Sequence, residues 1–397
     1  MSRSAVAWTS QPAVKPDEFV SADIYTDPAL FREELLRVKR ATWKFACHES
    51  EIPALNDFRT FDHAGVPIVV TRSGDGQIRA FVNACSHRSA MVLREPCGNA
   101  TQWTCLFHFW TYDNQGRCTQ ISREQGYEEA GVCKEKMGLR EVRVGRKLGL
   151  VFVNLDESAP SFDEYFGDSF ENLAEVLGTE ELEVFHYHKA TVKANWKQWH
   201  ETNMELYHEY LHVVNRQVAM TGEGFFDREW KVYPYGHATL SPMVQKFERM
   251  KGWKARTDKP LPGLGPNEFR IVTFFPDTTI IVRATAMRID TSTPIAPGVT
   301  LVEQRGLGIK GESVEDRTMR IKHHNQFWGP FGRNFPEDAI AVEAVYETVR
   351  AGAAPFALFA RHEHERGQDD HPVRMFYREW SRYMGRPASA PAAKQGA

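Results

Sequence analysis

Residues 85–108 read CSHRSAMVLREPCGNATQWTCLFH. Cys85 and His87 stand two apart, 17 residues intervene, and Cys105 and His108 stand three apart, giving C-x-H-x17-C-x2-H. Each half supplies one thiolate and one imidazole. On both sides the chain reads as short strands. Val66-Pro67-Ile68-Val69-Val70-Thr71 is β-rich, Ser73-Gly74-Asp75-Gly76 is a turn, and Gln77 to Val82 alternates, which together make a hairpin. Leu148 to Val153 reads as a further buried strand. The four residues therefore sit in loops of a small all-β module.

Two Cys and two His can hold one zinc, or a [2Fe–2S] cluster with Cys on one iron and His on the other. Zinc fingers pair Cys with Cys and His with His along the chain. Here each half is mixed, as a two-iron cluster requires when each loop must reach both irons. Neutral His in place of thiolate also makes such a centre easier to reduce. Cys97 and Cys118 have no His at matching spacing and read as ordinary cysteines.

A second constellation lies in Asn195 to Asn215, NWKQWHETNMELYHEYLHVVN. As one helix over 195–214, this stretch places Glu205, His208 and His212 on one face, at i, i+3 and i+7. His208-Glu209-Tyr210-Leu211-His212 matches H-E-x-x-H, in which Glu209 is the base of a zinc hydrolase. The metzincin continuation fails, because positions 215 and 218 are Asn215 and Val218. The competing reading is a 2-His-1-carboxylate set for Fe(II), its carboxylate supplied from farther along the chain. A redox cluster has no use in a peptidase. It has one beside an iron that must receive single electrons to activate dioxygen.

Composition agrees with a globular enzyme. Of 397 residues, 42% are hydrophobic and 25% charged, which excludes collagen-like and largely disordered chains. The net charge of −3 gives no basic excess for nucleic acid or an anionic membrane. All six cysteines lie at or before Cys133, too sparse for a disulfide scaffold. With no apolar leader in Met1 to Phe19 and no apolar run long enough to span a bilayer, a cytoplasmic protein with free or metal-bound thiols is expected. Residues 1–25 read as an irregular arm. Pro28 to Trp43, 168–178, Gly311 to Asn325, Pro336 to Arg350 and Val373 to Met384 read as helices. Arg270 to Ile289 and Thr300 to Gly308 read as strands.

Trp43 to Val70, the C-x-H/C-x2-H motif, Asn195-Trp196-Lys197 and Val373 to Arg378 resemble the oxygenase (alpha) subunit of the Rieske non-haem iron aromatic-ring-hydroxylating oxygenases. Within that family it is similar to terephthalate-dioxygenase-like and methanesulfonate-monooxygenase-like members. The resemblance implies an α+β protein: an arm and helix over 1–43 packing with the catalytic domain, a Rieske domain over 44–157, a catalytic α+β domain of antiparallel sheet and helices over 158–386, and a disordered tail over 387–397. It implies Cys85 and Cys105 on one cluster iron, His87 and His108 on the other, and His208 and His212 on a mononuclear Fe(II). The third iron ligand falls shortly after Gly329-Pro330-Phe331-Gly332, at Asp338, with Glu337 and Glu343 as fallbacks. Glu205 stands where the family has an acidic bridge to a cluster His of the neighbouring subunit, which implies a homotrimer, with or without a small beta subunit. The family spaces its iron histidines H-x4-H; this chain has H-x3-H. NAD(P)H electrons would come from a separate reductase, with or without a ferredoxin, since the chain has no dinucleotide fingerprint. A small aromatic acid, sulfonate or other organic anion is the implied substrate. Arg216, Arg228, Lys231, Lys246 and Arg283 are the candidate cations for it.

Overall fold

The computed structural model describes residues 12–178, 180–213, 225–244, 260–265, 268–283 and 285–392. The chain forms two compact units, Lys39–Phe162 and Met1–Val38 with Asp163–Ala397.

The smaller unit is built mainly of β-structure, with short 3₁₀ turns at Glu49–Glu51, Glu124–Tyr127 and Lys134–Lys136. Its seven-stranded antiparallel sheet runs in the order Lys44–His48, Leu150–Asn154, Glu141–Lys147, Ile78–Val82, Val66–Arg72, Asp57–His63, Cys97–Asn99. A second sheet joins Gln102–Thr104, Thr111–Asp113 and Cys118–Gln120. The β-branched run at 68–70 is buried on both faces. Val69 packs with Phe81, Trp103, Trp110 and both motif cysteines, whereas Ile68 and Val70 pack with Val151 and Val153 on the other side.

The larger unit is built on an antiparallel sheet ordered Leu182–Val192, Val299–Ile309, Ala286–Ala296, Thr278–Arg283, Glu268–Phe274, Ala238–Val244, Trp230–Val232. The helices Val314–Phe327, Asn334–Arg350 and His371–Met384 follow the sheet in the chain. Among the described residues, no helix is long and apolar enough to cross a membrane.

Several expectations need correction. The arm is not wholly irregular: Phe19–Ser21 pairs with Phe356–Leu358, and Asp23–Thr26 is a short helix. The helix expected to Trp43 is α-helical only over Pro28–Glu34, capped by Asp27, and ends as a π turn at Lys39. Of the tail expected to be disordered, residues 387–392 make contacts: Ser21 N–H donates to Ala388 O (3.0 Å) and Ala392 N–H to Asp23 Oδ2 (2.8 Å). Residues 393–397 lie outside the described residues. The single helix expected over 195–214 is broken: among the described residues, Trp196–Glu201 is α-helix and Tyr207–Tyr210 a separate 3₁₀ turn. The break has local causes. Leu206 N–H donates to Gly367 O, and the Glu205 carboxylate takes the His208 N–H, so these donors leave the helical ladder.

One buried cluster ties the arm to this unit. Glu34 accepts from Lys197 Nζ (2.6 Å), Trp196 Nε1 (3.1 Å) and Trp380 Nε1 (2.8 Å), and both charged side chains are fully buried. Glu34→Ala strands the Lys197 ammonium and should destabilise the unit by about 3–5 kcal/mol. Denaturant titration followed by tryptophan fluorescence checks this; an unchanged midpoint would contradict it.

Candidate metal centres

In the smaller unit, two loops share one backbone pattern. Cys85 N–H donates to Ala90 O and Ser89 N–H returns to Cys85 O; Cys105 N–H donates to Trp110 O and Phe109 N–H returns to Cys105 O. Ser89 and Phe109 take the same left-handed conformation, at φ 58° and 60°. The repeat presents each Cys and the His that follows it in the same way. The two cysteines are buried in one cluster, and the His87 and His108 rings lie 4.5 Å apart between centroids. His87 stacks on Trp110 at 4.8 Å. Its Nε2 meets Tyr127 Oη at 3.1 Å, and its buried Nδ1 has no hydrogen-bond partner. Burial pushes the His87 imidazole below its ordinary value, helped by the neighbouring His108 and Arg88. Burial also raises the Cys105 thiol. Two imidazoles and two thiols brought together on paired loops are a donor set suited to an iron–sulfur cluster. The Tyr112 hydroxyl lies 3.1 Å from Cys85 Sγ.

The second centre is assembled from two places in the larger unit. His208 comes from the 3₁₀ turn Tyr207–Tyr210 and His212 from just after it, and Asp338 from the second turn of Asn334–Arg350. Gly332 sets that helix start, because a Cβ there would lie 2.7 Å from the Asn325 carbonyl oxygen. One ligand atom from each of His208, His212 and Asp338 falls within 4.8 Å of the others. Nε2 of His208 is 3.7 Å and Nε2 of His212 3.4 Å from Asp338 Oδ1. The Nδ1 atoms are engaged on the far side: His208 with Glu205 Oε1 (2.6 Å), His212 with Glu337 Oε2 (2.8 Å). A carboxylate on one ring nitrogen fixes the tautomer and aims the other nitrogen at a metal.

The electrostatics fit a cation at this point. Burial pushes Asp338 up to about 7, against the favourable charges of His208 and Arg288. Burial opposes charge on His208, but the Glu205 carboxylate and its hydrogen bond outweigh it and raise the ring to about 9. Asp338 Oδ1 is buried without a hydrogen bond. Bare carboxylate is thus costly here, and a divalent ion satisfies it while taking the place of a proton between the rings.

The remaining sequence candidates fall elsewhere. Glu337 is turned to His212 Nδ1 and Val213 N–H, and Glu343 accepts from Lys193 N–H, so neither fallback joins the three-residue cluster. Glu209, the base of the zinc-hydrolase reading, is buried against Arg228, Nη2 to Oε2 2.8 Å, and sits on no α-helix. Lys231 pairs at the surface with Glu171. Arg216 and Lys246 lie outside the described residues, as do Asn215 and Val218. Sequence reasoning missed the orienting role of Glu337 and the cavity wall made by Phe269, Ile271, Ile281 and Trp328. The period-2 pattern of the strands carried a signal for that wall; nothing local signalled Glu337.

These two centres mark the class of protein. Residues 42–132 match the Rieske [2Fe-2S] domain, and residues 179–386 match the ring hydroxylating alpha subunit catalytic domain. The chain belongs to the Rieske ring-hydroxylating oxygenase alpha subunits, enzymes carrying a Rieske [2Fe–2S] cluster and a mononuclear iron. It is 44% identical over 391 residues to the 2-aminobenzenesulfonate 2,3-dioxygenase subunit alpha of Alcaligenes sp, covering 98% of this chain and 99% of that one. It is 38% identical over 401 residues to the methanesulfonate monooxygenase hydroxylase subunit alpha of Methylosulfonomonas methylovora, covering 98% and 96%. Naphthalene 1,2-dioxygenase from Rhodococcus sp. has the same fold, with a TM-score of 0.79 at 22% identity over 92% of this chain and 94% of that one.

Glu337→Gln keeps an acceptor for one donor only and loses the charge that orients His212. It should weaken iron binding about 10–100-fold while the cluster spectrum stays unchanged. Iron titration of the apo-protein, followed by metal analysis, reads this; wild-type affinity would contradict it.

Proposed function

We propose that this chain is a terminal oxygenase that hydroxylates a small organic sulfonate, with Cys85, Cys105, His87 and His108 holding the cluster and His208, His212 and Asp338 holding the mononuclear iron. The observation that carries the reading is the His208–His212–Asp338 cluster in a chain that also bears the Rieske unit. Two relatives similar over nearly their full lengths are named for sulfonates, one aromatic and one aliphatic, which favours a sulfonate over a carboxylate.

When bound, the cluster passes on single electrons and the mononuclear iron activates dioxygen for insertion of one or two oxygen atoms into the substrate. The protein's part is positioning and electrostatics. Glu205 and Glu337 fix the two imidazoles, Asp338 supplies the anionic ligand, and Arg228 holds Glu209 away from the metal as a bound ion pair. His208, His212 and Asp338 would hold the iron, a donor set of two imidazoles and one carboxylate that suits dioxygen chemistry. Leu206, Phe269, Ile271, Ile281 and Trp328 give the cavity apolar walls, which limit water around the reacting centre.

Electrons come from NAD(P)H through a separate reductase, with or without a ferredoxin, in the cytoplasm. Glu205, already bonded to His208, makes the link to a cluster histidine of a neighbouring subunit, so the working assembly is a homotrimer, alone or with a small beta subunit. Glu205→Gln retains an amide oxygen for His208. Like Glu337→Gln it loses an orienting charge and should weaken iron binding; loaded at saturating iron, with iron and cluster both occupied, it should lower product formation more than about 100-fold, with oxygen uptake on 2-aminobenzenesulfonate or methanesulfonate plus a reductase as the assay. Wild-type turnover by the variant overturns the bridge. Wild-type uptake with carboxylates and not with sulfonates overturns the substrate.

A further inference from the structure

We propose that Tyr127 holds down the reduction potential of the [2Fe–2S] cluster by accepting the outer N–H of its ligand His87, an inference that rests on the cluster assignment above and adds a positioning residue to it.

The two ligand loops repeat in backbone but not in what braces their histidines. In both, the Cys N–H and carbonyl close the same pair of bonds, and Ser89 and Phe109 turn left-handed at the matching place. Nε2 of His87 lies 3.1 Å from the Tyr127 hydroxyl, whereas the His108 ring makes no hydrogen bond among the described residues. Nδ1 of His87 is buried without a partner, so the ring offers its inner nitrogen to the cluster and its outer one to Tyr127. An imidazole bound to iron through Nδ1 carries its proton on Nε2. His87 is then the donor and the Tyr127 oxygen the acceptor.

Several contacts hold Tyr127 in this place. It closes the 3₁₀ turn Glu124–Tyr127, and its carbonyl accepts from the N–H groups of Ala130 (3.1 Å) and Val132 (3.4 Å), which pins its backbone. Its ring stands perpendicular to those of Trp110 and His87, at 5.7 and 6.1 Å between centroids. Trp110 in turn lies flat on His87, with 8° between the planes. The three rings fix one another, and the Tyr127 hydroxyl has His87 as its only hydrogen-bond partner among the described residues.

A ligand imidazole that gives its outer N–H to an acceptor becomes a stronger donor to its metal. Added electron density favours the oxidised cluster, which lowers the potential and makes the reduced cluster the better one-electron donor. Tyr112 acts in the opposite sense. Its hydroxyl lies 3.1 Å from Cys85 Sγ, and beside a thiolate only the hydroxyl can donate. That bond draws charge from the sulfur and raises the potential.

The test is a dithionite titration of the holoenzyme, followed by visible absorption and electron paramagnetic resonance. Tyr127→Phe keeps the ring and loses the oxygen. Its cluster should be easier to reduce by about threefold to tenfold in the equilibrium constant, an upward shift of about 30–60 mV at about 59 mV per tenfold for one electron. Iron content and the Rieske-type signal should stay as in wild type. Tyr112→Phe should shift the midpoint downward, and the opposite signs separate an effect on the ligands from a general loosening of the site. A Tyr127→Phe midpoint at or below wild type, or shifts of the same sign in both variants, overturns the proposal and leaves the cluster standing. If Tyr127→Phe loses its cluster, Tyr127→Leu is titrated instead, with the same upward shift expected. Loss of the cluster in both gives Tyr127 a structural role alone and overturns the proposal too. A wild type without a Rieske-type signal overturns the cluster assignment, and the proposal with it.

Discussion

Two hydrogen bonds, Glu205 to His208 and Glu337 to His212, govern the larger unit's chemistry. Each takes the outer nitrogen of an imidazole and so commits the inner nitrogen to the space beside Asp338. Both demand something unusual of the backbone. Glu205 bonds His208 across a tight turn, entered after the helix from Trp196 stops at Glu201. Glu337 can reach His212 only because the helix at Asn334 starts where it does, behind a glycine that tolerates a close carbonyl. The structure gives up regular helix at 202–206 and gains a rigid pair of ligands.

The two centres solve the same problem differently. In the smaller unit, a repeated loop pattern on a β scaffold presents Cys and His twice, and Trp110 and Tyr127 brace one imidazole. Adjacent strands fix those loops, so local sequence suffices. In the larger unit, the ligands come from segments more than a hundred residues apart and depend on the sheet and helices between them. Spacing alone could describe the first and only half of the second.

That difference sets what could be read from the sequence. The mixed Cys/His pairs, the hairpin at 66–82 and the long strands at 270–308 were legible because their signals lie within a few residues. The pairing of His208 with His212 was legible as two imidazoles near each other, yet the helix drawn through them was not what joins them. Propensity favoured helix over 195–214, and the tertiary bond from Leu206 to Gly367 overrode it. Asp338 and Glu337 are neighbours with similar chemistry, and only the helix phase, which turns one into the cluster and the other behind His212, separates them. Arg283 stood in the sequence as one of several basic residues; the structure places it, with Arg288, among the residues that line the cavity.

The central claim is that His208, His212 and Asp338 hold one iron apart from the [2Fe–2S] cluster. Iron analysis with electron paramagnetic resonance of the dithionite-reduced protein, on wild type and Asp338→Ala, tests it most directly. The account predicts about three irons per chain in wild type and about two in Asp338→Ala, with the same Rieske-type signal in both. Three irons retained in the variant, or zinc in place of the third iron in wild type, would contradict it.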